Sequence, residues 1–394
     1  MTLPDVGGPV APPPLIVHVV RQYAPSQGGL EDVVAHLGTH LLARGFRVRI
    51  VTCDRIFTDL ERRLQPFEII GGVEIVRIPW AGSKRYPLAP SVFRHLADAD
   101  LIHVHAVDFF FDALAWGRLL HGKPMVATTH GGFFHTAKYA RIKRVWFQTM
   151  TRLSASGYRV LCCCSRSDLA MFEPIAGDRA VLIENGVDIS KFSGLSAADP
   201  NKRIVTIGRF SVNKRIERLL DAMAVLIRND SDWHLQIIGF PSDWTLEDLT
   251  REIRARGLSD HVSVHVSPDN LRIRDLIGQA SVFASASDYE GFGLVAIEAM
   301  SAGLVPVLHP NEAYRSLAAA HDGVVLADFA DATVAAQRIG DAYNALLRQP
   351  DETRQRLMEQ AGGYAWDRVA QRYIDVYRAV LSGEPLAGLE GTRG

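Results

Sequence analysis

Nowhere in the 394 residues does an apolar run approach the roughly 18 residues that a membrane-spanning helix needs, so any membrane contact is expected to be peripheral. The opening MTLPDVGGPVAPPP holds several prolines but neither a basic leader region nor an apolar core of secretory length. Residues 1–14 therefore read as a disordered tail, and export is not expected. Cysteine is scarce: there are four, and Cys162, Cys163 and Cys164 are adjacent in RVLCCCS. Neighbouring side chains of a strand point to opposite faces, so these three cannot share a tetrahedral metal site and read as reduced strand residues of a cytoplasmic protein. GxGxxG is missing, which counts against a nicotinamide or flavin enzyme. Neither sign of charge is in excess, with a net of -1, and no nucleic-acid partner is expected.

What is present is an ordinary globular composition, 47% hydrophobic and 22% charged, in a chain long enough for two domains. Up to residue 195 there are 22 Lys/Arg against 17 Asp/Glu, and beyond it 21 against 27. The first half is thus the one suited to phosphates or an anionic membrane. Apolar runs suited to strands (LIVHVV, FRVRIVTC, DLIHVH, PMVATTH, RVLCCCS) alternate with helical stretches such as EDVVAHLGTHLLARG. The polar stretch SGLSAADPNK at 193–202 reads as a linker, after which RIVTIGRF, WHLQIIGF, HVSVHV, SVFASAS and VPVLH restart the rhythm. The expected class is α/β, with two doubly wound Rossmann-like domains of parallel strands, at 15–195 and 196–365, and a last helix at 366–386 returning to the first domain. Open parallel sheets bind ligands beyond the carboxyl ends of their strands, which makes an interdomain cleft the expected site.

Residues 287–307, SDYEGFGLVAIEAMSAGLVPV, carry Glu290 and Glu298 with seven residues between them. The segment reads as the end of a buried strand, a glycine loop holding Glu290, and a helix holding Glu298 and closed by Gly303. Free N–H groups at the helix start, near Gly291, Phe292, Gly293 and Leu294, can receive an anion between the two carboxylates. That pattern suits a nucleoside diphosphate sugar.

E-GFGLVAI-E followed by AxxxGxPV resembles the E-x7-E signature of the GT-B retaining glycosyltransferases of family 4. The likeness extends along almost the whole chain, through PSQGGLEDVV, ATTHGG, ENGVDISKF and IGRFSVNKR. It implies an N-terminal domain for the acceptor and a C-terminal domain for the nucleotide sugar. Within the family the chain is similar to bacterial mannosyltransferases, α-1,3-type, that extend a lipid-linked cellobiosyl unit in acetan- or xanthan-type exopolysaccharide assembly. GDP-mannose and a polyprenyl-diphosphate-linked saccharide are the implied substrates, a UDP-sugar donor and a sugar-nucleotide epimerase being the alternatives. No cofactor and no metal are implied, because Arg209, Lys214 and the helix terminus replace a cation. Arg209 and Lys214 would balance charge on the departing diphosphate, with Arg215 and Arg218 as nearby competitors for that task. Glu290 would hold the donor sugar or act as a nucleophile, and Glu298 would hold the ribose. His130 would contact the donor sugar. Gly28 and Gly29 would let backbone approach the donor, or form a simple turn, and Ser165 would touch the site or only cap a helix. Asn185 reads as a turn former. Asp98 and Asp100 look like a DxD metal motif but precede their strand instead of following it.

In 135–153, Tyr139, Ile142, Trp146, Met150 and Leu153 recur at helical spacing opposite Lys138, Arg141, Arg144 and Arg152. Such a helix either lies on an anionic membrane on the inner face of the cell membrane or packs its apolar side on the core.

Overall fold

The computed structural model describes residues 12–26, 28–131 and 145–385. The chain divides into two compact units: residues 1–186 together with the segment from 366 onward, and residues 187–365. The boundary expected at 195/196 therefore falls at 186/187. Val187 and Phe192 belong to the core of the second unit, which draws the segment before the polar stretch into that unit. The polarity of SGLSAADPNK marks a surface loop, not the crossing.

In the first unit eight strands form one sheet, ordered Ala180–Leu182, Val160–Cys163, Met125–Thr128, Leu101–His105, Leu15–Val19, Arg47–Cys53, Val73–Ile78, Phe67–Ile70. All neighbours are parallel except the edge strand Phe67–Ile70, which pairs antiparallel with Val73–Ile78. That exception to the expected parallel sheet follows from the Gly71–Gly72 turn, where both residues have positive φ and the connection is too short for a crossover. The sheet's faces pack against separate apolar cores, and Cys162 and Cys163 fall on opposite ones. The helix Trp366–Ser382 covers the face that carries Ile16, Val126 and Cys162. Gly186 lets Trp366 close in, since a Cβ there would meet the indole at 2.4 Å.

The second unit has six parallel strands, ordered Val262–Val266, His234–Gly239, Arg203–Ile207, Val282–Ser285, Val305–Leu308, Val325–Leu326. In each sheet the chain reverses its direction of winding beside the first strand: between Leu15–Val19 and Leu101–His105 in one, and between Arg203–Ile207 and Val282–Ser285 in the other. Such switch points splay the following loops apart and leave room for a ligand.

Of the helix expected at 135–153, Lys138, Tyr139, Arg141, Ile142 and Arg144 lie outside the described residues. From Val145 the backbone is helical, with a π-type turn over Phe147–Thr151. Phe147 packs inward, against Phe172 at 5.1 Å between ring centroids, and Thr151, Ser154 and Ala155 are buried with it, while Trp146 and Leu153 are exposed. The stripe proposed from spacing is therefore not the packed face at these positions.

Candidate active site

At the switch point of the second unit the loop after Ile207 and the loop after Ser285 meet. Lys214 Nζ donates to Glu290 Oε1 at 2.6 Å, and both side chains are largely buried. The Lys214 stem lies over Gly208, where a Cβ would come within 3.1 Å of its Cε. The Gly208 carbonyl in turn sits against Gly239, where a Cβ would lie 1.8 Å from that oxygen. Gly208, Arg209, Lys214, Ser285 and Ser287 line a small pocket here. The Tyr314 phenol donates its one proton to Glu290 Oε1 at 3.2 Å, and its oxygen lies 3.0 Å from Ser285 Oγ. It reaches them because Gly293, at φ 83°, has no Cβ; one would stand 3.0 Å from the Tyr314 ring.

The four cations differ in their partners. Arg215 and Arg218 both bind Asp288, at 2.5 and 2.7 Å, so their charge is spent on holding the loop. Lys214 is committed to Glu290. Arg209 is exposed, and its guanidinium makes no ion pair with a described residue, so it is the one open cation of the four. Glu298 lies in the helix Leu294–Ala302, half-buried. Burial pushes its carboxyl above the usual range, against the pull of Lys191. Gly293 caps that helix and Gly303 ends it, both with positive φ; Gly291 is exposed, and Phe292 packs edge-on against Tyr364 at 5.8 Å.

In the first unit the residues that follow strands Leu15–Val19, Leu101–His105, Met125–Thr128 and Val160–Cys163 are Arg21, Asp108, His130 and Ser165. His130 has φ 54°, a left-handed conformation unusual for a side chain of its size, so its ring is aimed by a constrained turn. Asp168 holds that turn, accepting from Thr129 Oγ1 at 2.6 Å and from Gly131 N–H at 3.0 Å, the two residues flanking the histidine. Ser165 caps the helix Arg166–Ala176 by accepting from the Asp168 N–H at 3.1 Å. The capping role is thus realised, and through Asp168 the cap is one step from His130. Asp108 is buried with one carboxylate oxygen unpartnered, and burial raises it to about 7 despite the nearby Arg21. Gly28 precedes the helix Gly29–Ala43 in extended backbone, and a Cβ there would touch Glu31 Oε2 at 2.6 Å. With Glu31 and Asp32 in its first turn, this helix start opposes an anion and is suited instead to hydroxyl groups. Asn185 keeps its side-chain oxygen buried and unpartnered.

Sequence reasoning missed Tyr314, Asp168 and Asp108. Only Asp168 left a signal, the S-x-x-D capping pattern with Ser165. The DxD look-alike is structural: Asp98 forms a two-bond pair with Arg49 at 2.7 and 3.0 Å, and Asp100 accepts from the Leu15 N–H at 2.7 Å.

This arrangement, cations and carboxylates at parallel strand ends, can now be set beside known proteins. Residues 27–191 match the family described as Glycosyltransferase Family 4, and residues 189–362 match Glycosyl transferases group 1. The chain is 39% identical to the GDP-mannose:cellobiosyl-diphosphopolyprenol alpha-mannosyltransferase of Komagataeibacter xylinus, over 93% of each chain. It belongs to glycosyltransferase family 4. The protein of the same name from Xanthomonas campestris is 41% identical, covering 93% of this chain and 97% of its own. The GT-B fold is seen in solved structures as well: a glycosyltransferase from Rickettsia africae superposes with a TM-score of 0.70 at 16% identity, over 94% of this chain and all of that one. Among the described residues no helix is long and apolar enough to cross a membrane.

Proposed function

We propose that this family 4 enzyme transfers mannose from GDP-mannose, with retention, to a cellobiosyl unit carried on a polyprenyl diphosphate, in exopolysaccharide assembly. The substrates follow from the printed activity of relatives at 39–41% identity over nearly the whole chain. The observation that carries the chemistry is the Lys214–Glu290–Tyr314 cluster at the strand ends, with Arg209 open beside it. In this reading Arg209 and Lys214 neutralise the diphosphate, and Glu290 and Tyr314 orient the mannosyl group. Glu298 accepts from the ribose hydroxyls. The acceptor oxygen bonds to the anomeric carbon on the face from which the phosphate oxygen departs, and that phosphate oxygen takes the proton. No enzyme nucleophile enters, and the two cations do the work that a metal would do.

Contact with an anionic membrane is supported by exposed apolar side chains. Leu119 is 92% and Leu120 81% exposed, and Trp116, Trp146 and Leu153 are exposed too, with Arg118 and Arg152 among them. Such a mixture fits a headgroup boundary.

The test is a panel of GDP- and UDP-sugars with a cellobiosyl-diphosphopolyprenol acceptor, in excess chelator. α-Mannoside formation from GDP-mannose alone is expected. Preference for a UDP-sugar, conversion of donor without acceptor, or magnesium-reversible loss of activity would each overturn part of the assignment.

A further inference from the structure

The interior of the first unit holds a file of imidazoles. His18 Nδ1 lies 2.9 Å from His105 Nε2, and His105 Nδ1 lies 2.9 Å from His130 Nε2. The file exists because His18 and His103 are register partners on adjacent parallel strands and His105, two residues on, shares their face. His103 packs beside it, its two nitrogens bound to Tyr377 Oη at 2.6 Å and Thr128 Oγ1 at 2.8 Å. His18, His103 and His105 are wholly buried, and of the four only His130 is partly exposed.

Burial lowers His18 and His130 to about 3, and His103 and His105 well below their ordinary value, so every ring is neutral at physiological pH. A neutral imidazole carries one N–H and one lone pair, so the two bonds of the file must run in the same direction. In one direction His18 donates to His105 and His105 to His130, which leaves a lone pair on His18 Nε2 and the proton of His130 on Nδ1. In the other, His18 Nε2 carries the proton. That nitrogen is buried and has no partner among the described residues. An orphaned buried N–H is rarer and more costly than an unmatched acceptor, and this decides between the two. We infer that the file locks His130 as its Nδ1–H tautomer, so that the ring offers a donor, not an acceptor, to an oxygen of the ligand bound at the strand ends of the first unit.

His105 is then a positioning residue, acting only through His130. The inference rests on His130 being a ligand contact, but the tautomer itself does not. The same rings place one nitrogen each of His18, His103 and His105 within 4.8 Å of one another, a spacing that a metal ion could use. A cation there would have to break one of the His103 bonds, to Tyr377 or Thr128, and one of the His105 bonds, to His18 or His130, since only His18 Nε2 is uncommitted.

Long-range proton–nitrogen correlation spectra of the full chain, labelled with 15N-histidine, test this directly. His130 is expected to show a protonated Nδ1 and an imine-type Nε2, and the reverse pattern would overturn the proposal. Two substitutions at His105 sharpen it. The amide nitrogen of His105→Asn stands where Nδ1 was and can still donate to His130, whereas the amide of His105→Gln stands where Nε2 was and cannot. The Asn variant should keep the His130 tautomer and most of kcat, while the Gln variant should lose the tautomer and roughly tenfold in kcat, about the worth of one hydrogen bond. Equal kinetics in the two would sink the positioning role, as would stoichiometric uptake of zinc by the wild type that shifts these resonances. Full activity in His130→Ala, with the tautomer as expected in the wild type, would instead remove the ligand contact and leave the file standing.

Discussion

In the second unit these polar groups at the strand ends are charged and paired: Lys214 with Glu290, largely buried, and Arg215 and Arg218 with Asp288, partly exposed. In the first unit the corresponding groups are neutral rings buried in the sheet, with His130 as their outlet. The two units share a strand–helix rhythm and differ in how they make a precise polar group. Paired charges give strength and can be redirected to a new anion when a ligand arrives. A file of neutral rings cannot compensate a diphosphate, but it fixes the direction of one hydrogen bond. The first kind of site suits the leaving group, the second suits hydroxyls.

Acid should separate the units most strongly. For His18, His103, His105 and His130 the folded value lies below the unfolded one, so in acid the unfolded chain binds protons that the native chain does not, and stability falls as pH drops below about 6.5. Asp108, raised to about 7, takes up a proton in the native state over the same range and offsets one ring. The net limiting slope is roughly 4 kcal/mol per pH unit. Hydrogen exchange between pH 7.5 and 5.5 should show peptides of 1–186 losing protection before those of 187–365. Simultaneous loss would dissolve the contrast.

Next in size is Lys214→Ala, expected to lose on the order of a hundredfold in kcat, or about 3 kcal/mol of transition-state stabilisation. Arg218→Ala should lose only a few-fold, because that cation already serves Asp288. Equal losses would mean that Asp288 releases its arginines when the donor binds. Gly239→Ala, which sets a methyl against the Gly208 carbonyl, should cost roughly 1–3 kcal/mol of stability by denaturant unfolding and weaken donor binding through Lys214. Smallest is Ser165→Ala, which should cost about 1 kcal/mol as a lost helix cap.

The fold was largely legible because parallel strands buried on both faces read as short apolar runs, and ten such runs coincide with strands of the two sheets. Glu290, Lys214, Arg209 and His130 were legible because each follows one of those runs directly or within a glycine loop. Tyr314 was not: it lies 24 residues beyond Glu290 on another helix, and only the missing Cβ of Gly293 brings it there. His18, His103 and His105 were hidden in plain view, since a histidine inside an apolar strand looks like a core residue until register shows which others share its face. The unit boundary was misread because polarity reports exposure, and NGV is marked in the sequence as a turn without any sign that the chain changes unit there.

The Trp366–Ser382 helix lays Tyr373 and Tyr377 against Thr128 and His103, about 250 positions earlier in the chain. During synthesis, therefore, the segment 187–365 can emerge whole and complete its sheet while the first-made strands still await their last helix. Ribosome-stalled chains ending before residue 366 should hold a finished second unit and an unfinished first one. Loss of the Trp366–Ser382 helix would thus be felt at strands made about 250 residues before it.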